Sequence, residues 1–303
     1  MQQRGDPAHG EIVFRRKDLA CLKCHAIAGA GGLAGPDLVS IGASAPIDYL
    51  IESILLPNKA VKENYHSTIV ATRDGRFYTG IKVRETNEQL VLRDAEDREV
   101  IIPVKAIEER SMGGSLMPEG LADSLTRAEL VDLVRFLSEL GKVGPYAVSK
   151  ARLARRWQVL ETTREAYHHL ISTRIASVTT ADSALLWTPA YSRVSGDLPL
   201  DALPRFMFGK PQGEQADVLG FARCQIDVST GGAIKLILNS TTGLALWLDS
   251  EPVEIKSEIT VSLLPGIHTL TFAVNLPQRH DSLRCEFDEA PGSTVRFSVV
   301  TGK

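Results

Sequence analysis

Cys21-Leu22-Lys23-Cys24-His25 constrains this chain more than any other stretch. Two cysteines two residues apart, with a histidine directly after the second, form the attachment signature of a c-type haem. The spacing follows from the chemistry. One helical turn carries the two sulfurs to the two former vinyl groups of a porphyrin, and each thiol closes one thioether. The histidine that follows offers its imidazole to the iron. With 4 Cys and 7 His in 303 residues, a chance match is expected about once in a thousand such chains. The other readings are a redox dithiol or half of a zinc site. A zinc site needs a second Cys/His pair, and the remaining cysteines, Cys224 and Cys285, are isolated from each other in the sequence.

The pattern divides the chain into a first half over 1–145 and a second over 150–303, with a linker over 142–150 marked by nearby Gly141, Gly144 and Pro145. In the first half, Gly10-Glu11-Ile12-Val13-Phe14 starts a short helix whose apolar residues suit a porphyrin face or a later helix. A glycine-rich loop over 29–35 ends in Gly35-Pro36-Asp37-Leu38. Glycine lets backbone pass close to a flat ligand. A carbonyl near Pro36 is placed to accept the His25 Nδ1–H and fix its tautomer; the other reading is a plain loop. Residues 46–56 read as a helix opened by Pro46, with Leu50, Ile51, Ile54 and Leu55 on one face as core or haem-edge packing.

From about 65 to 107 the period changes to two. Arg73-Asp74-Gly75-Arg76 is a hairpin turn, and the segment reads as a small inserted antiparallel sheet whose charged turns suggest a solvated outer face. Ser111-Met112-Gly113-Gly114-Ser115-Leu116-Met117-Pro118 then reads as a loop. A methionine sulfur commonly completes the coordination of a c-type haem iron. Met117, stiffened by Pro118, is the candidate, ahead of Met112 and then His66. Thr126-Arg127-Ala128-Glu129 is a capping box. It opens a closing helix with Leu130, Leu133, Val134 and Leu137 on one face, expected to cross the first helix near Phe14.

The order of these features resembles class I cytochrome c. More closely, Leu19-Ala20-Cys21-Leu22-Lys23-Cys24-His25-Ala26-Ile27, the inserted sheet and Ser115-Leu116-Met117-Pro118 resemble one family. This is the haem-binding CxxCH domain at the end of large exported proteins of planctomycetes and verrucomicrobia. The resemblance spans about 8–141. It implies a helical cytochrome c fold and one covalent haem c, bound by Cys21, Cys24, His25, Pro36 and Met117 with the iron between His25 and Met117. It also implies electron transfer beside a fused or partner dehydrogenase.

Beyond Trp157 the pattern is predominantly β. Leu244-Ala245-Leu246-Trp247-Leu248-Asp249, followed by Pro265-Gly266-Ile267-His268, resembles carbohydrate-binding jelly rolls of the PA14 type over about 225–300. Fold analogy alone does not establish sugar binding, so the domain is expected to dock a partner or a glycan. The expected architecture is α+β with two domains: a helical cytochrome c fold with an inserted sheet, then an all-β, jelly-roll-like sandwich. Trp157, Trp187 and Trp247 read as core, ahead of rings that stack on a sugar. The basic stretch over 150–156 reads as a solvated face, and His168-His169 as surface on a helix over 164–172. Cys224 and Cys285 read either as a disulfide or as two buried thiols.

No nucleophile–base arrangement, phosphate loop or paired-carboxylate site stands out. The chain therefore reads as an electron-transfer module rather than an enzyme. The alternative is a haem-based redox or gas sensor, or a small peroxidase, with a labile sixth site. Net charge −3 leaves no basic footprint for nucleic acid. No run approaches the ~18 apolar residues of a membrane span. Met1-Gln2-Gln3-Arg4-Gly5-Asp6 leads directly into the haem half without a leader. Because haem c is normally attached after export, the chain is expected to continue a longer periplasmic or otherwise exported protein whose leader lies ahead of Met1.

Overall fold

The computed structural model describes residues 5–209 and 217–300, and the chain divides into two units, Met1–Val148 and Ser149–Lys303. The first four residues, at which the expected upstream region would join, lie outside the described residues.

In the first unit, Asp6 caps α1 (Pro7–Phe14): its carboxylate accepts the Ala8 N–H at 2.8 Å, and Pro7 presets the first helical φ. α2 (Cys21–Cys24) is a single turn. A minimal hairpin of β1 (Ala26–Ile27) and β2 (Ala30–Gly31) follows, then α3 (Ile41–Ser44) and α4 (Ile47–Leu55). Next come β3 (His66–Thr72), β4 (Phe77–Glu85), β5 (Gln89–Arg93), β6 (Glu99–Pro103) and β7 (Ile107–Ser115). They form one antiparallel sheet in the order β6-β5-β4-β3-β7, with Val70, Leu90, Leu92 and Ile102 clustered in its core.

α5 (Arg127–Glu139) starts from the Thr126/Glu129 capping box and lies against α1. Phe14 and Phe136 meet at 5.8 Å between ring centroids. The helices touch backbone to backbone: a Cβ on Gly10 would fall 2.0 Å from Asp132 O. The Asp132 carboxylate accepts the Asp6 N–H at 2.7 Å and pairs with His9 Nδ1 at 2.8 Å, tying the start of α1 to α5.

The second unit is built from two sheets. In chain order its elements are β8 (Arg152–Leu153), β9 (Arg156–Leu160), α6 (Arg164–Thr173), β10 (Trp187–Tyr191), β11 (Phe206–Phe208) and β12 (Asp217–Thr230). β13 (Gly232–Leu238), β14 (Leu244–Leu248), β15 (Glu251–Val253), β16 (Glu258–Leu263), β17 (Gly266–Asn275), β18 (Cys285–Glu289) and β19 (Arg296–Val299) complete it. One sheet runs β10-β9-β12-β17-β14-β15, with β11 and β19 also on β12; the other runs β16-β13-β18-β8. Trp157, Ile226 and Phe272 from the larger sheet share one core with Ile234, Leu236 and Phe287 from the smaller. This is a β-sandwich.

Several expectations are corrected. The helical cytochrome c fold is not what forms: the structure is 38% strand and 22% helix, with six short α-helices and four sheets among the described residues. The cause is local. Each apolar helical period is cut off within a few turns, as at Pro57 and Gly141, whereas strands follow one another with only short breaks from 66 to 115 and again from 217 to 275. The sheet also extends past its expected end at 107. Ser111 and Met112, expected in a loop, lie in β7 opposite Ile69 and Thr68. β7 is mostly exposed and carries Glu108, Glu109 and Arg110, so it shows no apolar alternation to announce it. Among the described residues the sandwich has eight and four strands, more than the eight in all of a jelly roll. Cys224 on β12 and Cys285 on β18 are buried free thiols.

Candidate functional site

α2 presents Cys21 and Cys24 one turn apart, and the loop after it wraps back over the same turn. Gly32 N–H donates to Leu22 O at 2.9 Å, and Gly35 N–H to Cys24 O at 2.7 Å. The fit requires glycine: a Cβ on Gly32 would lie 1.8 Å from Lys23 O, and one on Gly35 2.7 Å from His25 Cε1. The Asp37 carboxylate accepts the N–H groups of Ala28, Gly29 and Val39 at 3.1, 3.0 and 2.8 Å, which sets the shape of the loop. The turn between β5 and β6 reaches the loop from the other side. Asp97, in left-handed conformation, accepts the Leu33 N–H at 3.2 Å and pairs with Arg93, while Glu96 faces Lys23 at 3.8 Å. Ala95 and Glu96 of this turn are exposed, and both also line the site.

His25 Nδ1 lies 2.9 Å from Pro36 O. A carbonyl can only accept, so Nδ1 carries the proton and Nε2 keeps its lone pair. Burial lowers the His25 pKa below its ordinary value, against the opposing pull of the Pro36 carbonyl and Asp37, which favours the neutral imidazole. Burial pushes the Cys21 thiol up to about 11, and the Cys24 thiol also rises, chiefly by burial, with Asp97 and Glu96 adding to it. Both thiols are protonated at neutral pH.

Cys21, Cys24, His25, Pro36 and Met117 all line one cavity of about 390 Å³, whose walls include Leu19, Leu50, Ile54, Leu133 and Leu137. Two thiols, a neutral imidazole and a thioether sulfur in an apolar recess can hold a flat, largely apolar metal complex through both covalent and axial bonds. Met112 and His66 do not line the cavity, and Met112 is 77% exposed. Of the expected α4 face, Leu50 and Ile54 reach the cavity, Ile51 does not, and Leu55 is exposed. Tyr49 and Ser53 share that face, so the helical period could have included them. Lys62, Tyr65, Ala95 and Glu96 also line it; they arrive through tertiary structure and have no local sequence signal. Burial, with Asp37 nearby, raises the Tyr65 pKa. Among the described residues, no group of three or more His, Cys, Asp or Glu side chains is placed to hold a bare metal ion, and no helix is long and apolar enough to cross a membrane.

In the second unit, Trp157 is buried and its Nε1–H donates to Ala154 O at 2.9 Å and Ser192 Oγ at 3.0 Å. The Arg223 guanidinium stacks 4.2 Å over the Trp187 ring, and Trp187 and Trp247 pack on the Leu160–Phe206–Phe221 cluster. Neither the basic stretch nor the histidine pair is wholly on the surface. Arg155 is buried and donates to Val194 O at 3.0 Å. His169 is largely enclosed beside Asp182 while His168 is exposed. Asp249 and His268, from the two parts of the PA14-like pattern, are hydrogen-bonded, and the other His268 nitrogen meets Leu264 O at 2.7 Å. Burial alone would lower the His268 pKa; its two acceptors outweigh burial and raise it.

No family model matches the chain, and no curated protein matches it.

Proposed function

We propose that the first unit carries one covalent haem c and that the chain is an electron-transfer module, fused to or partnered with a dehydrogenase, in the periplasm or another exported compartment. Cys21 and Cys24 would form the thioethers, and His25 and Met117 the two axial bonds to iron. One observation carries the reading: two thiols and an imidazole from residues 21–25 and a thioether from Met117, some ninety residues later, line a single cavity of about 390 Å³. Its size falls within the range of cofactor sites, roughly 300–1,000 Å³. The hydrogen bond from His25 Nδ1 to Pro36 O also suits it, because it leaves Nε2 as the metal-binding nitrogen.

Bound haem supplies reversible one-electron chemistry at iron. The chain's own residues hold and shield it. Pro36 O and Gly35 fix the plane of the His25 ring, Leu19, Leu50 and Leu137 exclude water, and Pro118 stiffens the chain beside Met117. A site held this firmly changes little between two charge states, which is what fast electron exchange needs.

Expression of the full chain with haem-maturation machinery tests the proposal. Intact mass and a pyridine haemochrome spectrum are expected to show one haem per chain, absent from Cys21→Ser/Cys24→Ser. The reduced protein is expected to resist carbon monoxide. A chain without a chromophore would overturn the reading, and ready uptake of carbon monoxide would replace it with the sensor or peroxidase alternative.

A further inference from the structure

Met117 lies between β7 and α5, in a stretch that crosses the cavity. This stretch is clamped from one place. Asn58, just beyond Pro57 at the end of α4, accepts the Ser115 N–H on Oδ1 at 2.9 Å and donates from Nδ2 to Glu119 Oε1 at 2.8 Å. The amide orientation is forced, since a backbone N–H needs an oxygen and a carboxylate needs a donor. Asn58 thus grips the chain two residues before and two residues after Met117. Ser115 Oγ in turn accepts the Met117 N–H at 3.0 Å, and Ser67 Oγ donates to Gly114 O at 2.9 Å. The approach is tight: a Cβ on Gly114 would fall 2.4 Å from Asn58 Oδ1, and one on Gly113 2.3 Å from Ser67 Oγ. Pro57 and the α4 face of Leu50 and Ile54 line the same cavity as Met117. One side chain therefore ties the Met117 segment to the end of the helix that forms a cavity wall.

We infer that Asn58 is the positioning residue for the Met117 sulfur, keeping it in the cavity so that small ligands do not displace it. The inference rests on the reading of Met117 as an axial ligand. Asn58 holds the Ser115 backbone and the Glu119 carboxylate on either side of Met117, so its removal leaves the sulfur present and untethered. Methionine is a weak iron ligand, and an exogenous imidazole is a sensitive competitor for its place.

The test uses the full haem-loaded chain as wild type, Met117→Ala, Asn58→Ala and Glu119→Ala, with urea unfolding of each. Two readouts are taken on the ferric protein: the weak far-red sulfur-to-iron absorption band and an imidazole titration. The wild type is expected to show the band, and Met117→Ala to lose it. Asn58→Ala is expected to weaken the band and raise imidazole affinity about tenfold, as two lost hydrogen bonds of ordinary strength would. Glu119→Ala keeps Asn58 itself and removes only the acceptor of its Nδ2–H. A rise of about threefold, as one lost exposed hydrogen bond would give, is expected there, and this arm decides the matter if Asn58→Ala does not fold. No band in the wild type, or a band that survives in Met117→Ala, overturns the ligand reading and this inference with it. A band lost only in Met117→Ala, with wild-type imidazole affinity in the folded clamp variants, leaves the ligand standing and overturns the role of Asn58.

Discussion

Gly10→Ala sets packing against helix propensity in α1. In an isolated helix the change stabilises by about 1 kcal/mol. In this fold the new methyl would sit 2.0 Å from Asp132 O and 2.7 Å from Phe136 Cβ. Ordinary contact begins at 3.4 Å, so α1 and α5 must separate by about 1.4 Å (3.4 − 2.0). A shift of that size takes the 2.7 Å Asp6–Asp132 bond out of reach and loosens the Phe14–Phe136 contact. Overpacking against backbone costs about 3 kcal/mol, the upper end of its usual range. The lost hydrogen bond adds about 1 kcal/mol, and propensity returns about 1 kcal/mol, for a net loss of about 3 kcal/mol. Urea unfolding followed by far-UV circular dichroism measures it. Fluorescence from Trp157, Trp187 and Trp247, all in the second unit, follows that unit separately. The sign decides: a variant as stable as the wild type, or more so, would mean that the helices do not meet at Gly10 and would refute the packing argument.

Two further outcomes are expected. Gly35→Ala places a methyl within 2.7–3.1 Å of three His25 ring atoms, so the ring tilts away from Pro36 O; stability should fall by about 2 kcal/mol in urea. The His25 Nδ1–H proton resonance should also broaden, and a sharp, unshifted signal would contradict this. For His268 the folded-state pKa lies above the ordinary 6.5, so its contribution to stability is fully present below that value and lost as pH rises through the folded pKa. The stability gap between wild type and His268→Gln should therefore be widest below the ordinary value of 6.5 and shrink as the pH rises above it; a gap that widens with pH would reverse the assignment of the Asp249–His268 pair.

The local features of this chain were set by residues within a few positions of one another. The two-residue spacing of Cys21 and Cys24, the Thr126–Glu129 capping box and the Asp74-Gly75 turn each act over one turn, so each is visible in the sequence and appears where its residues stand. The same short range explains the misreading of the helical fold. A cap or an apolar stripe marks a helix without measuring how much of a domain it occupies. Only tertiary structure decided that β7 pairs with β3, some forty residues earlier, because an exposed strand with Glu108, Glu109 and Arg110 has no apolar alternation to betray it. Tertiary structure alone brought the Ala95–Glu96 turn to the cavity and set Asn58 astride Met117. Those groups meet through hydrogen bonds and packing between distant segments, and a hydrogen bond leaves no periodic trace in the sequence of either partner. Motif chemistry was thus written locally, while the walls and clamps around it depended on how the whole unit closed.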